Sequence, residues 1–263
     1  MSRFDGRVAW ITGGGSGLGA GLAKALAREG ARVAISGRRV DRLDALVQEM
    51  GADRALALPG DVRDEAWQEQ AADRVAKHFG HLDLAIANAG FSVGGRIGDL
   101  RAEDWRRQFE TNVVALATTS RVAMPHLAAR RGQLVLIGSV AGFVSFPGHG
   151  PYQASKAAVR AIGETLWLEG RALGVDVTTI HPGFVESEIG QVDRDGTFHP
   201  ERADRRPAQL MWTTKDAVTA MLRGIAARRR ELVFTGHGKL GVFVARHASG
   251  LLAHLLARIR VER

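Results

Sequence analysis

The chain has 263 residues, 45% hydrophobic and 24% charged, with a formal net charge of +8. That apolar share excludes a disordered chain, and a core of this size needs no covalent staples. The lack of cysteine excludes a disulfide framework, a thiolate zinc site, an iron–sulfur cluster and a cysteine nucleophile.

No signal-peptide core opens the sequence MSRFDGRVAW. No apolar run approaches the roughly 18 residues of a spanning helix, so a soluble, cytoplasmic protein is expected. The charge is uneven: residues 1–200 carry 23 basic and 23 acidic side chains, residues 201–263 carry 13 and 5. A solvated basic face accounts for the excess, or else a contact with acidic substrates or an anionic membrane. Nothing resembles a nucleic-acid-binding motif.

In chain order, a strand is expected at Arg7–Thr12, followed by Thr12-Gly13-Gly14-Gly15-Ser16-Gly17-Leu18-Gly19. Glycines there let the backbone turn tightly and approach a pyrophosphate, whose charge the N–H groups of the next helix stabilise. Leu18, Leu22 and Leu26 give that helix one apolar stripe. The second strand, Arg32–Ser36, ends in Gly37-Arg38-Arg39 with no carboxylate for a ribose 2′-hydroxyl. Gly37 leaves room there and Arg38 can fork onto a 2′-phosphate, which favours NADP(H) over NAD(H). Arg39 is expected to do no more than open a solvated helix.

A second helical stripe, Leu43, Leu46, Val47 and Met50, leads to strands at Arg54–Pro59, Leu82–Ala87 and Gln133–Gly138. A third stripe contains Ile162, Leu166 and Leu168, and strands Val175–His181 and Glu231–Thr235 complete the pattern. Most of these strands are continuously apolar, as strands buried on both faces of a parallel sheet are. The alternation predicts an α/β protein: a single Rossmann-type, doubly wound parallel sheet flanked by helices, in one domain spanning 1–263.

The most informative stretch is Tyr152-Gln153-Ala154-Ser155-Lys156, which holds the only tyrosine and one of five lysines. Four residues apart on a helix, the two side chains share a face. A phenol titrates near pH 10 and is a weak acid–base at neutrality; a nearby ammonium lowers its pKa by favouring phenolate.

The cradle and the Tyr-x3-Lys pair resemble the short-chain dehydrogenase/reductase family, in its branch of roughly 250 residues, over about residues 5–235. Position by position, the resemblance assigns Gly13, Ser16, Gly17, Leu18 and Gly19 to the pyrophosphate. It assigns Asp61 and Val62 to the adenine. Asn88-Ala89-Gly90 is similar to the family's Asn-Asn-Ala-Gly motif, with Ala87 standing in place of the first Asn. Pro182, Gly183 and Val185 match the segment against the nicotinamide.

The catalytic set implied is Asn112, Ser139, Tyr152 and Lys156. Tyr152 would exchange a proton with the substrate oxygen, and Ser139 would hydrogen-bond that oxygen. Lys156 would lower the phenol pKa and hold the nicotinamide ribose, while Asn112 would order a water leading to solvent. The resemblance also implies a homodimer or homotetramer, joined through helices near Trp105–Arg130 and Gln153–Ala172. No metal is expected, and His78-x2-His81 forms no convincing ligand set.

Two segments flank this machinery. Polar residues from Gly183 to about 212, with Gly190, Gly196, Pro200 and Pro207, are expected to form a substrate lid. In the tail, about 237–263, Leu240, Phe243, Val244, Leu251, Leu252, Leu255, Leu256 and Ile259 form an apolar stripe, with His247, His254 and Arg258 on another face. That stripe packs on the body or a neighbouring subunit, or lies on an anionic membrane. Phe143, Phe146, Phe184 and Trp212 are expected near the mouth of an apolar substrate pocket. The reading is an NADP(H)-dependent oxidoreductase of a carbonyl/alcohol pair; the alternatives are a non-catalytic dinucleotide sensor and a peripheral membrane protein.

Overall fold

The computed structural model describes residues 3–204 and 206–257. Seven strands form one all-parallel sheet: β1 (Val8–Thr12), β2 (Arg32–Gly37), β3 (Ala55–Pro59), β4 (Leu84–Ala87), β5 (Gln133–Ile137), β6 (Asp176–His181) and β7 (Glu231–Val233). Each expected strand is present, with ends differing by a residue or two. The helices are α1 (Gly17–Arg28), α2 (Val40–Met50), α3 (Glu65–Phe79), α4 (Ala102–Phe109), α5 (Ala115–Arg130), α6 (Gly150–Leu173), α7 (Thr214–Ala226), α8 (Gly236–His247) and α9 (Ser249–Leu256).

The sheet order is β3-β2-β1-β4-β5-β6-β7. The chain winds outward from β1 through β2 and β3, then crosses back to build the other half from β4. A crevice therefore opens where β1 and β4 end side by side, the switch point at which such sheets bind ligands. In register, Ile11 pairs with Ile35 on one side and Ile86 on the other.

Alternation along the strands makes two cores. Ala9 and Ile11 point into a cluster with Leu22, Leu26, Ile35 and Met221, closed by α1 and α7. Val8 and Trp10 point into the other, with Leu134 of β5 and with Val75, Leu127 and Val159 from the helices on that face. Burying both faces is what makes these strands read as unbroken apolar runs. Local signals fix several helix ends: the Asp64 carboxylate accepts from Trp67 N at 3.0 Å at the start of α3, and Gly80, at φ 88°, ends it.

Three helical expectations need correction. Leu168 is 63% exposed, because two residues past Leu166 is the far side of a helix; Ile162 and Leu166 do pack on the core. In the tail, Leu240 and Phe243 are 66% and 60% exposed, whereas Gly238 and Val242 face the body. His247 stacks on Phe243, so these two share a face rather than dividing faces. The tail is also broken at Ala248 into α8 and α9. Arg258 and Ile259 lie outside the described residues. Among the described residues, no helix is long and apolar enough to cross a membrane.

Candidate active site

The cradle begins where β1 ends. The Thr12 hydroxyl accepts from Asn88 N at 3.1 Å and Ala89 N at 3.2 Å, and Asn88 Nδ2 donates to Thr12 O at 2.9 Å. These bonds stitch the ends of β1 and β4 together and hold the crevice open. Gly13 has φ 64°, and a Cβ on it would lie 2.8 Å from Ala89 Cα. A Cβ on Gly19 would fall 2.2 Å from Gly13 O. Only glycine allows this approach of loop, helix and strand, and it leaves the first turn of α1 facing the crevice. Ser16 precedes that turn without capping it. A bare, close-lying backbone at a helix N-terminus fits a pyrophosphate.

At the adenosine end, Gly37 closes β2 and Arg38 and Arg39 follow. Asp61 comes just after β3. Burial pushes its carboxyl up, but hydrogen bonds from Arg63 and the charges of Arg63 and Arg38 outweigh this and hold it below the usual carboxylate range. Arg38 and Asp61 thus share one electrostatic neighbourhood. Val62 is buried, its carbonyl taken by Gln68 Nε2 at 2.5 Å. Arg39 does open α2, whose residues are mostly exposed, but its side chain does more than expected: it donates to Ser16 Oγ at 2.8 Å and Glu188 Oε2 at 2.6 Å.

On the other side of the crevice, Ser139 ends β5 and Tyr152 and Lys156 lie on the first turns of α6. Pro151 suits that first turn, where a backbone N–H has no helical partner. The Ser139 hydroxyl accepts from Ala141 N at 3.1 Å and donates to Pro182 O at 3.5 Å, which ties it to the residue after β6. Lys156 is 5% exposed; its Nζ donates to Ile137 O at 2.8 Å and lies 5.9 Å from the Tyr152 ring centroid. Burial pushes its pKa down to about 8.

Burial also raises the Tyr152 phenol, while a hydrogen bond with Ser139 and the charge of Arg206 act the other way. Arg206 is thus a cation favouring phenolate to which the sequence did not point. Asn112 sits in a widened helical turn, Glu110–Val114, between α4 and α5. Its Oδ1 accepts from Phe91 N, and its Nδ2 donates to Phe91 O and Ser155 Oγ, each at 3.1 Å. A Cβ on Gly90 would lie 3.0 Å from Asn112 Oδ1 and 3.8 Å from Lys156 Nζ, so these three residues meet at one point. Such widened turns recur at functional sites.

Beyond Pro182 and Gly183, the segment 183–212 is irregular, with short 3-10 turns at Glu188–Gln191 and Ala208–Leu210. Val185 is buried and pairs with Trp212. Arg206 pins the segment: its guanidinium donates to Val185 O at 2.8 Å, Ser187 O at 2.9 Å and Asp204 Oδ2 at 2.7 Å. Sequence reasoning missed the Arg39–Glu188 pair, whose members are distant along the chain, and Arg206, whose partners lie within an irregular segment with no pattern to place them.

Of the four aromatic residues expected at the mouth, Phe143 and Phe146 line a cavity of about 450 Å³ with Pro147, Ala245, Ala253 and Leu256. A second, of about 530 Å³, shares Phe146 and Pro147 and is lined further by Arg96, Ile97 and Gln153; Ser139, Tyr152 and Lys156 line neither. Phe184 instead stacks on His237, and Trp212 packs against Phe234.

Comparison with known proteins agrees with this geometry. The profile of the short chain dehydrogenase family matches residues 7–197. An uncharacterized oxidoreductase of Myxococcus xanthus is 37% identical over 241 residues, 89% of each chain. A short chain dehydrogenase/reductase of Burkholderia phymatum, solved in complex with NAD, superposes with a TM-score of 0.82 at 28% identity, covering 100% of this chain and 99% of that one. One from Burkholderia cenocepacia, solved in complex with NADP, gives 0.78 at 30% identity over 90% and 99%. The chain belongs to the short-chain dehydrogenase/reductase family of oxidoreductases.

Proposed function

We propose that the protein interconverts a carbonyl and an alcohol with NADP(H), on an apolar substrate, with Tyr152 as the acid/base. The observation that carries this reading is the meeting of Ser139, Tyr152, Lys156 and Asn112 across the crevice from a glycine cradle. A pure sensor has no use for a phenol and an ammonium in one pocket, so the catalytic reading is preferred. Gly13, Ser16, Gly17, Leu18 and Gly19 would hold the pyrophosphate, Asp61, Val62, Asn88, Ala89 and Gly90 the adenosine side, and Pro182, Gly183 and Val185 the nicotinamide side. Bound there, the dinucleotide supplies or takes the hydride.

In reduction, Tyr152 Oη gives its proton to the substrate oxygen, and Ser139 Oγ donates a hydrogen bond to the charge that builds there. In oxidation the phenolate takes the proton back. Lys156 holds the ribose and passes protons on, and Asn112 keeps the widened turn in place beside it.

Arg38 and the lack of a carboxylate at the end of β2 support NADP(H). The Burkholderia relatives, solved with NAD and with NADP, support a nicotinamide dinucleotide of either kind. The mostly apolar lining of the cavity at Phe143 and Phe146 supports an apolar substrate. One domain, a cytoplasmic site of action and a homodimer or homotetramer complete the proposal. The outward Leu240 and Phe243 on α8 also favour contact of the basic tail with an anionic surface; unchanged co-sedimentation with anionic liposomes after removal of residues 237–263 would exclude it.

Titration with NADPH and NADH separately, read by fluorescence, tests the main reading. Selective NADPH binding supports it, preference for NADH overturns the 2′-phosphate argument alone, and binding of neither overturns the enzyme.

A further inference from the structure

Both arginines at the end of β2 are engaged by the segment that follows β6. Arg38 Nη2 donates to Gly196 O at 2.9 Å. Arg39 Nη2 is held between Ser16 Oγ at 2.8 Å and Glu188 Oε2 at 2.6 Å, and its guanidinium lies 5.5 Å over the Phe198 ring. Ser16 belongs to the cradle, so Arg39 reaches back from the adenosine end to the loop that faces the pyrophosphate. A carboxylate thus rests on a guanidinium next to the place where a ribose would lie.

We propose that Glu188 is a specificity-determining residue for the dinucleotide: it occupies Arg39 as an internal anion and competes with a ribose 2′-phosphate. This rests on the reading that Arg38 and its surroundings receive that phosphate. The pair is accessible, with side-chain exposures of 36% for Arg39 and 25% for Glu188, so an incoming ligand can displace the carboxylate. An ion pair this open to water is a weak bond, and a phosphate monoester offers the fork three oxygens and more charge.

The same carboxylate would sit beside the phosphate as a like charge unless it swings away. Toward a ribose lacking the phosphate it acts the other way, because a carboxylate accepts a hydrogen bond from a free 2′-hydroxyl. One residue thus disfavours the phosphorylated ribose and tolerates the plain one. Removing its charge changes the preference between the two without touching the cradle.

The test uses nucleotide halves that carry no nicotinamide. Calorimetric titration of the full chain with 2′,5′-ADP and with 5′-AMP is compared for the natural protein and Glu188→Gln, which keeps size and hydrogen bonding but loses the charge. The expected result is that the variant binds 2′,5′-ADP about tenfold more tightly while 5′-AMP changes by less than about twofold. Equal tightening of both, or no change in either, overturns the role of Glu188.

If the natural chain favours 2′,5′-ADP and the variant is unchanged, the 2′-phosphate reading survives and the competition does not. If the natural chain is indifferent and the variant selects 2′,5′-ADP, the competition is upheld and the natural preference moves toward NAD. Indifference of both proteins overturns both statements. Arg39→Gln, expected to weaken 2′,5′-ADP selectively and to abolish the effect of Glu188→Gln when combined with it, separates loss of the pair from general loosening of the segment.

Discussion

Asn112 and Ser155 are joined by a 3.1 Å hydrogen bond that links the widened turn before α5 to the helix carrying Tyr152 and Lys156. The same amide also serves both backbone groups of Phe91. Its removal takes three hydrogen bonds at once: Phe91 O keeps Gln108 Nε2 as its donor and Ser155 Oγ keeps Tyr152 O as its acceptor, while Phe91 N loses its acceptor. Asn112→Ala is expected to cost about 2–4 kcal/mol of stability in urea denaturation, with turnover lost alongside. Retention of full stability would mean that water replaces the amide at little cost.

Tyr152→Phe removes one hydroxyl and leaves the ring in place. Turnover is expected to fall at least about 100-fold, the usual contribution of a positioned acid–base. Dinucleotide affinity, measured by fluorescence titration, should stay close to that of the natural protein. A variant that keeps its turnover would remove Tyr152 from the chemistry.

Arg206 combines two tasks that substitution can separate. Its charge favours the Tyr152 phenolate, so Arg206→Gln should move the alkaline rise of alcohol oxidation to higher pH. Its fork pins Val185 and Ser187, so Arg206→Lys should leave that rise in place and lower stability by about 1–2 kcal/mol. Coincident pH profiles for both variants and the natural protein would show that the charge does not reach the phenol.

His181, at the end of β6, is 1% exposed, and burial lowers its pKa to about 4 against the pull of Glu231 and the Ser139 backbone. Between about pH 4 and 6.5 the unfolded chain binds a proton there that the folded chain refuses. Its contribution is complete above about pH 6.5 and is lost as pH falls toward 4, on the order of 3 kcal/mol. In urea melts at pH 7 and 4.5, His181→Asn should lose less stability on acidification than the natural protein; equal losses would show that another group governs the acid limb.

Strand positions and the cradle are legible in the sequence because each depends on local pattern: an apolar run, a cluster of glycines, a phenol one helical turn from an ammonium. Leu168, Leu240 and Phe243 differ from the expected stripes for a related reason, since a stripe drawn too broadly includes residues from the far side of the helix. Arg39, Glu188 and Arg206 were not legible. Their chemistry depends on a segment more than a hundred residues from β2 folding back across the crevice, and no spacing in the sequence encodes that return. Whether a guanidinium meets water, a carbonyl or a carboxylate is decided only there.

The strand order also has a consequence for how the chain is made. From β4 onward each new strand lies beside the one synthesised just before it, through β5 and β6 to β7. The second half of the sheet can therefore grow by accretion as the polypeptide emerges, every addition finding its partner already present. β4 alone must reach back past two strands to β1, and that one long return also creates the crevice. Ser139, Tyr152 and Lys156 are then delivered to its far wall in a single stretch, after the cradle has been laid down.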